Sequence, residues 1–251
     1  MFKRVIPVLL LSGRGLVKTQ RFAQPKYVGD PINAVRIFSE KEADELVFLD
    51  IDASKKNQDP DVGLIKDIAS EAYMPFAYGG GIRTLAQAEL ILKNGAEKVV
   101  LNELLLTRPE LVSQFIQAFG AASVVGCVNV KKDAQANYRL YSYRQAGVLD
   151  TPLSEHLGLC RELGLGEILL QSVDCDGQMQ GYDLQLIQRV RAEIDAPLVA
   201  LGGAGKLPDL SAALAAGADA AAAGSLFTFY GKYRAVLITY PSHQEIRGLT
   251  P

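Results

Sequence analysis

Apolar residues in this chain come in short unbroken runs, each followed by a glycine-bearing polar turn and then by a segment with helical spacing. The clearest case is PLVALGGAGKLPDLSAALAAGADAAAAGSLF, from Pro197 to Phe227. Leu198 to Leu201 reads as a buried strand entering Gly202-Gly203, where the missing Cβ atoms let backbone N–H groups approach an anion. Ala212 to Ala216 carry helical propensity and stop at Gly217. A second buried strand, Ala220 to Ala223, opens at Gly224-Ser225 onto a further expected helix N-terminus. Two adjacent strands that both end in N–H-rich turns make a phosphate cradle.

The same pattern occurs 122 residues earlier in PFAYGGGIRTLAQAELILKNGAEKVVLNELL, from Pro75 to Leu105. At that offset Gly80 and Gly81 fall on Gly202 and Gly203, Gly95 on Gly217, Glu45 on Glu167 and Asp52 on Asp174. A unit of four strands and four helices repeated within 251 residues predicts an α/β chain folded as a single (β/α)8 TIM barrel. One domain is expected over 1–251, with half-barrels at about 1–120 and 121–251. A doubly wound open sheet also alternates strand and helix, but does not call for the echo.

Strand one is followed by SGRGLVKTQRFAQPKYVGDP, a basic loop too long for a mere connection; it reads either as functional or as a solvated insertion. Asp30-Pro31 then starts a helix expected to run to about Glu42, and Asp59-Pro60 is expected to start the next. Thr84 with Gln87, and Thr107 with Glu110, read as capping boxes, while Gly95 and Gly120 close those helices. Strand five, SVVGCVNV, ends in polar Asn129 and leads into a hairpin excursion through Tyr138 to Tyr143. Thr151-Pro152 opens helix five, and EILLQSV is strand six. The tail GKYRAVLITYP carries a β-like apolar run where the last barrel helix belongs.

Composition sets limits on this picture. A net charge of −2 leaves no nucleic-acid footprint and no reason to expect a membrane surface. Cys127, Cys160 and Cys175, an odd number without a CxxC, point to a reducing compartment. With only His156 and His243, no His-rich metal site is expected, and no cofactor is called for. FKRVIPVLLLS imitates a signal peptide, but its apolar run is short and no cleavage pattern follows, so it reads as strand one of a cytoplasmic protein.

In such a barrel the chemistry sits at the C-terminal ends of the strands. Catalytic candidates there are Asp50, Asp174, Asp176, Lys18 and Asn129; candidate phosphate contacts are Gly81, Asn102, Gly177, Gly202, Gly203, Gly224 and Ser225. Glu103 stands where Ser225 stands in the other half, and a carboxylate there caps the helix dipole itself and repels phosphate. Anion binding is therefore expected at the second pair of turns and weak binding at the first. The bland alternative is glycines serving only tight turns.

DELVFLDI, PFAYGGGI, EILLQSVDCDG with GYD, and GGAGK with AGADAAAAGSLF together resemble the cyclase subunit of imidazole glycerol phosphate synthase, over all but the last twenty or so residues. The resemblance implies a class I glutaminase partner under the barrel, ammonia passing up its axis, and a phosphorylated small-molecule ligand at the top. It also implies two catalytic aspartates at the ends of strands one and five, whose positions here hold Leu10 and Asn129, neither able to transfer a proton near neutral pH. Glu103 and Gln171 stand for threonines of that family, and Leu201 for a serine. The gate of alternating charge that closes the ammonia entrance in the family falls on Arg4, Glu45, Lys98 and Glu167; taken alone these could be ordinary salt-bridged rim residues. PKYVGDPINAV and the tail are similar to a divergent branch found with surface-polysaccharide genes and linked to sugar amidation. The expectation is an ammonia-receiving synthase subunit serving such an amidation. The alternatives are a working histidine-pathway cyclase, in which Asp50, Asp174 or Asp176 takes over the acid and base roles, and a non-catalytic phosphate-binding or ammonia-conducting scaffold.

Overall fold

Side chains alternate along the first strand: Val5, Leu9 and Leu11 pack outward with the helices, while Ile6, Val8 and Leu10 join a separate cluster inside the sheet. That division recurs on every strand, because a sheet buried on both faces needs apolar residues at consecutive positions. The structure, a computed structural model, describes residues 3–249; Phe2 of the leader-like stretch and the outermost residues of the 1–251 span lie outside the described residues. The barrel strands are β1 (Arg4–Ser12), β2 (Leu46–Asp50), β3 (Phe76–Gly79), β4 (Lys98–Leu101), β5 (Val124–Lys132), β6 (Glu167–Ser172), β7 (Leu198–Leu201) and β8 (Ala220–Ala223). All pair in parallel, and β1 closes the ring by pairing with both β2 (Val8 with Val47) and β8 (Arg4 with Ala220). This closure makes the chain a (β/α)8 barrel and excludes the open sheet.

The outer layer comprises α1 (Pro31–Glu40), α2 (Val62–Glu71), α3 (Leu85–Lys93), α4 (Pro109–Phe119), α5 (Leu153–Leu163), α6 (Leu184–Arg191), α7 (Leu207–Ala215) and a short α8 (His243–Arg247). Asp30 caps α1 by accepting from the Asn33 amide at 2.8 Å, and Thr84 with Gln87 forms the expected capping box on α3. Three expectations are corrected. α1 stops at Glu40, because Glu42 turns out of the helix with φ +53°. α2 starts under Asp61, which accepts from Leu64 N at 2.9 Å, while Asp59 is drawn away by Arg83 and by Gln87 at 2.7 Å. Thr107 forms no box with Glu110: its hydroxyl donates to Glu103 O at 2.7 Å, and α4 begins at Pro109 after an uncapped Arg108.

Two excursions rise from the strand C-termini. The basic loop after β1 is a hairpin (Gly15–Gln20 with Ala23–Gly29), and β5 runs beyond Asn129 to pair with a second hairpin (Tyr138–Ser142 with Gly147–Pro152). The Phe22 ring meets Tyr141 and Tyr143 edge-on, with centroids 5.8 and 5.5 Å apart, so the hairpins clasp each other over the barrel end. The tail forms a small hairpin (Phe229–Tyr230 with Ala235–Val236), then descends to the base. There Tyr240 donates to Val5 O at 2.8 Å and packs at a tilt against Phe227 with ring centroids 5.5 Å apart, leaving five residues of α8 in place of a full last helix.

Candidate functional site

At the N-terminal ends of the strands four charges form a closed ring. Arg4 pairs with Glu45 at 2.6 Å and with Glu167; Lys98 pairs with Glu45 at 2.8 Å and with Glu167 at 3.0 Å. Each carboxylate accepts from both cations, and both carboxylates are nearly fully buried. Above the ring lie Ile6, Val47, Ala77, Val100, Val125, Leu169, Val199, Ala220 and Ala222, and among the described residues the inward strand positions between the ring and the mouth carry no charged side chain.

The mouth divides into two clefts that share Leu10, Thr19 and Gln171 at their boundary. The first of the two, between β7 and β8, is lined by Lys18, Asp176, Gly177, Gly202, Gly203, Gly224 and Ser225. Lys18 reaches in from the first hairpin and donates to Val8 O at 2.6 Å; burial pushes its ammonium down to about 8, against the pull of the Asp176 carboxylate. A Cβ on Gly224 would lie 2.6 Å from Lys18 Nζ, so a side chain there would push the ammonium from its present place. The Gly203 turn is fixed from behind, where its carbonyl accepts from Gly181 N at 2.9 Å and Tyr182 donates to Ala222 O at 2.8 Å. The helix expected at Ser225 is a single 3₁₀ turn, Ser225–Phe227, so anion affinity there rests on N–H groups and Lys18 rather than on a long dipole.

Asp176 is buried, accepting from Thr19 Oγ1 at 2.7 Å and Phe22 N at 3.1 Å; burial raises its pKa, and these bonds and Lys18 oppose the shift. Asp174 is not brought to either cleft: its carboxylate accepts from Lys132 N at 2.8 Å and serves the second hairpin.

The other cleft, between β2 and β4, is lined by Asp50, Ser54, Gly80, Gly81, Asn102, Glu103, Asn129, Tyr143 and Arg144. Asp50 caps the turn after β2, one oxygen accepting from Asp52 N and Ala53 N at 2.9 and 3.0 Å, and burial raises its pKa. Gly81 N is already committed to Ser54 Oγ at 3.4 Å. A Cβ on Gly80 would strike the Asp50 backbone and one on Gly81 the Gln58 carbonyl, so close packing accounts for this glycine pair, as it does for Gly202 against Ser172 O and Gly203 against Gly181 O. Asn129 donates to Asn102 Oδ1 at 3.3 Å and Asn102 to Cys127 O at 2.7 Å, a chain of amides with no titrating group.

Thr19, Ser54, Phe22, Tyr143 and Arg144 entered the mouth without being singled out from sequence. The length of the first loop and the alternating tyrosines of the second were the available signals. Among the described residues no group of His, Cys, Asp and Glu is arranged to hold a metal, and no helix is long and apolar enough to cross a membrane.

Residues 4–234 match the family model described as histidine biosynthesis protein. The chain is 47% identical over 245 residues to a Pseudomonas aeruginosa protein provisionally named imidazole glycerol phosphate synthase subunit hisF2, covering 97% of this chain and 98% of that one. It is 43% identical to a provisionally named subunit HisF of Leptospira interrogans, covering 98% of each. Similarity to the imidazole glycerol phosphate synthase subunit HisF of Exiguobacterium sibiricum is lower, 37% over 90% of this chain and 91% of that one. The closed barrel, the family match and these identities agree: the chain belongs to the histidine biosynthesis protein family, as a divergent HisF-like member.

Proposed function

We propose that this barrel receives ammonia at its base from a class I glutaminase and delivers it to a mouth that holds a phosphorylated ligand, serving amidation of a nucleotide-linked sugar in surface-polysaccharide synthesis. The observation that carries the reading is the ring of Arg4, Glu45, Lys98 and Glu167 beneath an uncharged axis. A neutral, ammonia-sized molecule can cross an apolar interior that excludes ions, once the ring admits it. Replacement of both aspartate positions by Leu10 and Asn129 supports a reaction other than the histidine-pathway ring closure. Co-purification from the native host tests this: a glutaminase bound to the base, released by charge reversal at Glu97, which is exposed beside Lys98 of the ring, supports it. Recovery of the chain alone at micromolar concentration overturns it.

One observation favours a second reading, a working cyclase. Asp176 and Lys18 face one cleft, both shifted by burial toward neutral pH, and such a pair can exchange protons with a ligand. Ammonia-dependent formation of imidazole glycerol phosphate would decide for it.

A further inference from the structure

The two clefts are related by the sequence repeat but not by chemistry. At the second pair of turns a buried ammonium, Lys18, faces Gly203 and Ser225, and among the described residues no side chain accepts from the amides of those two. At the first pair the Gly81 amide donates to Ser54 Oγ, and the charged groups lining the space are the carboxylates of Asp50 and Glu103 and the guanidinium of Arg144. Among the described residues the Glu103 side-chain carboxylate has no ion-pair or hydrogen-bond partner, and only one oxygen of the Asp50 carboxylate is occupied. Phe22 and Tyr143 close this cleft with ring surface, and Asn102 lies on its floor. The one cation lining it is Arg144, exposed at the hairpin tip and unpaired among the described residues; Lys55 Nζ sits 3.7 Å over the outer Tyr143 ring, and Arg83 and Arg108 line the adjoining pocket on the far side of Glu103.

Carboxylates with free lone pairs, a primary amide and aromatic faces are what hydroxyl groups on a carbon skeleton require: acceptors for O–H, a donor for oxygen, and a flat apolar surface for C–H. They are a poor match for a dianion, which two carboxylates repel in a cleft of reduced dielectric. We propose that the mouth takes a ligand with one phosphate only, seated by Lys18, Gly203 and Ser225, whose far end is uncharged and hydroxyl-bearing and lies against Asp50, Glu103 and Asn102. Glu103 is then the residue that sets specificity against bisphosphates. The inference rests on the anion reading of the Lys18 cleft and is independent of the glutaminase.

Titration calorimetry with D-ribose 5-phosphate, D-ribulose 1,5-bisphosphate and inorganic phosphate tests it. The monophosphate is expected to bind at least as tightly as the bisphosphate, and Glu103→Thr to tighten the bisphosphate about tenfold while leaving the monophosphate within about threefold. Inorganic phosphate binding to both proteins, lost in Lys18→Met, reports separately on the Lys18 cleft and on intact folding of the Glu103 variant. Tighter binding of the bisphosphate than of the monophosphate by the wild type, by tenfold or more, overturns the proposal. So does binding of inorganic phosphate with no gain for ribose 5-phosphate.

Discussion

The ammonium of Lys18 donates to the carbonyl of Val8 over 2.6 Å, fixing a cation carried on a hairpin to the strand beneath it. Its pKa, lowered from 10.5 to about 8, makes the charge conditional. Below that value Lys18 is protonated and attracts an anion; above it the attraction is lost. Sulfate, which does not itself titrate in this range, is expected to bind progressively more weakly from pH 7 to pH 9.5. Lys18→Met should bind at least about tenfold more weakly at pH 7, with a flat profile. A wild-type affinity that does not change over this range would separate Lys18 from the anion.

The ring at the base is expected to matter for stability, whatever binds beneath it. Glu45→Ala takes from Arg4 and Lys98 one of two carboxylates each. Breaking a fully buried pair costs about 3–5 kcal/mol, but Arg4 is 31% exposed, so a loss of about 1–3 kcal/mol is the expectation. Urea denaturation measures it, and a loss under about 0.5 kcal/mol would mean that water replaces the missing partner.

His156 gives a pH dependence remote from the mouth. It is 4% exposed, its Nε2 has no partner among the described residues, and burial lowers its pKa from 6.5 to about 4. Because the folded pKa lies below the unfolded one, the unfolded chain binds the extra proton first as pH falls. Stability should therefore drop between about pH 6.5 and 4, by up to roughly 3 kcal/mol. Comparing urea midpoints at pH 7.5 and 5 in the wild type and His156→Leu isolates this share, and equal slopes in the two proteins would assign the loss to other groups.

At the reacting end, the wild type supplied with ammonium and the ribulosyl bisphosphate intermediate is expected to form no imidazole glycerol phosphate at a useful rate. Loss of a positioned acid or base typically costs about 10²–10⁴-fold each. Leu10 has no ionisable group, and Asn129 is tied to Asn102. Leu10→Asp/Asn129→Asp is the matched comparison. Wild-type turnover on the order of 1 s⁻¹ or more would restore the histidine-pathway role.

The clasp between the hairpins should govern access. Phe22→Ala removes both edge contacts to Tyr141 and Tyr143, each worth about 0.5–1.5 kcal/mol beyond burial. Faster hydrogen exchange across 15–29, with the barrel strands unchanged, is the expected signature.

What could be read from the sequence followed periodicity. The repeat pointed to the closed barrel and placed Glu45 and Glu167 at equivalent strand starts, because strand ends are determined by local patterns; only the resemblance to the cyclase subunit joined them with Arg4 and Lys98 in a ring. The cleft partners of Lys18 and Asp176 were not legible: Thr19 reaches Asp176 across 157 positions, through a hairpin whose path no local signal sets. Asp174 shows the converse error, since it lies at a strand exit in sequence but is claimed by the Lys132 amide. The tail was legible in part: its β-like run, standing where the barrel's period calls for a helix, forms a small hairpin, but the descending segment held by Tyr240 had no local signal.

Glu45 and Glu167, exactly one repeat apart, still do the same work, while Glu103 and Ser225, also one repeat apart, no longer do. A passage along a central axis looks alike from either half of a duplicated chain, so nothing in its task pushes the two copies apart. A molecule lying across the mouth has two different ends, and each half must learn only one of them. On the functions proposed above, the barrel keeps its repeat visible where the traffic is axial and has lost it where the cargo is lopsided.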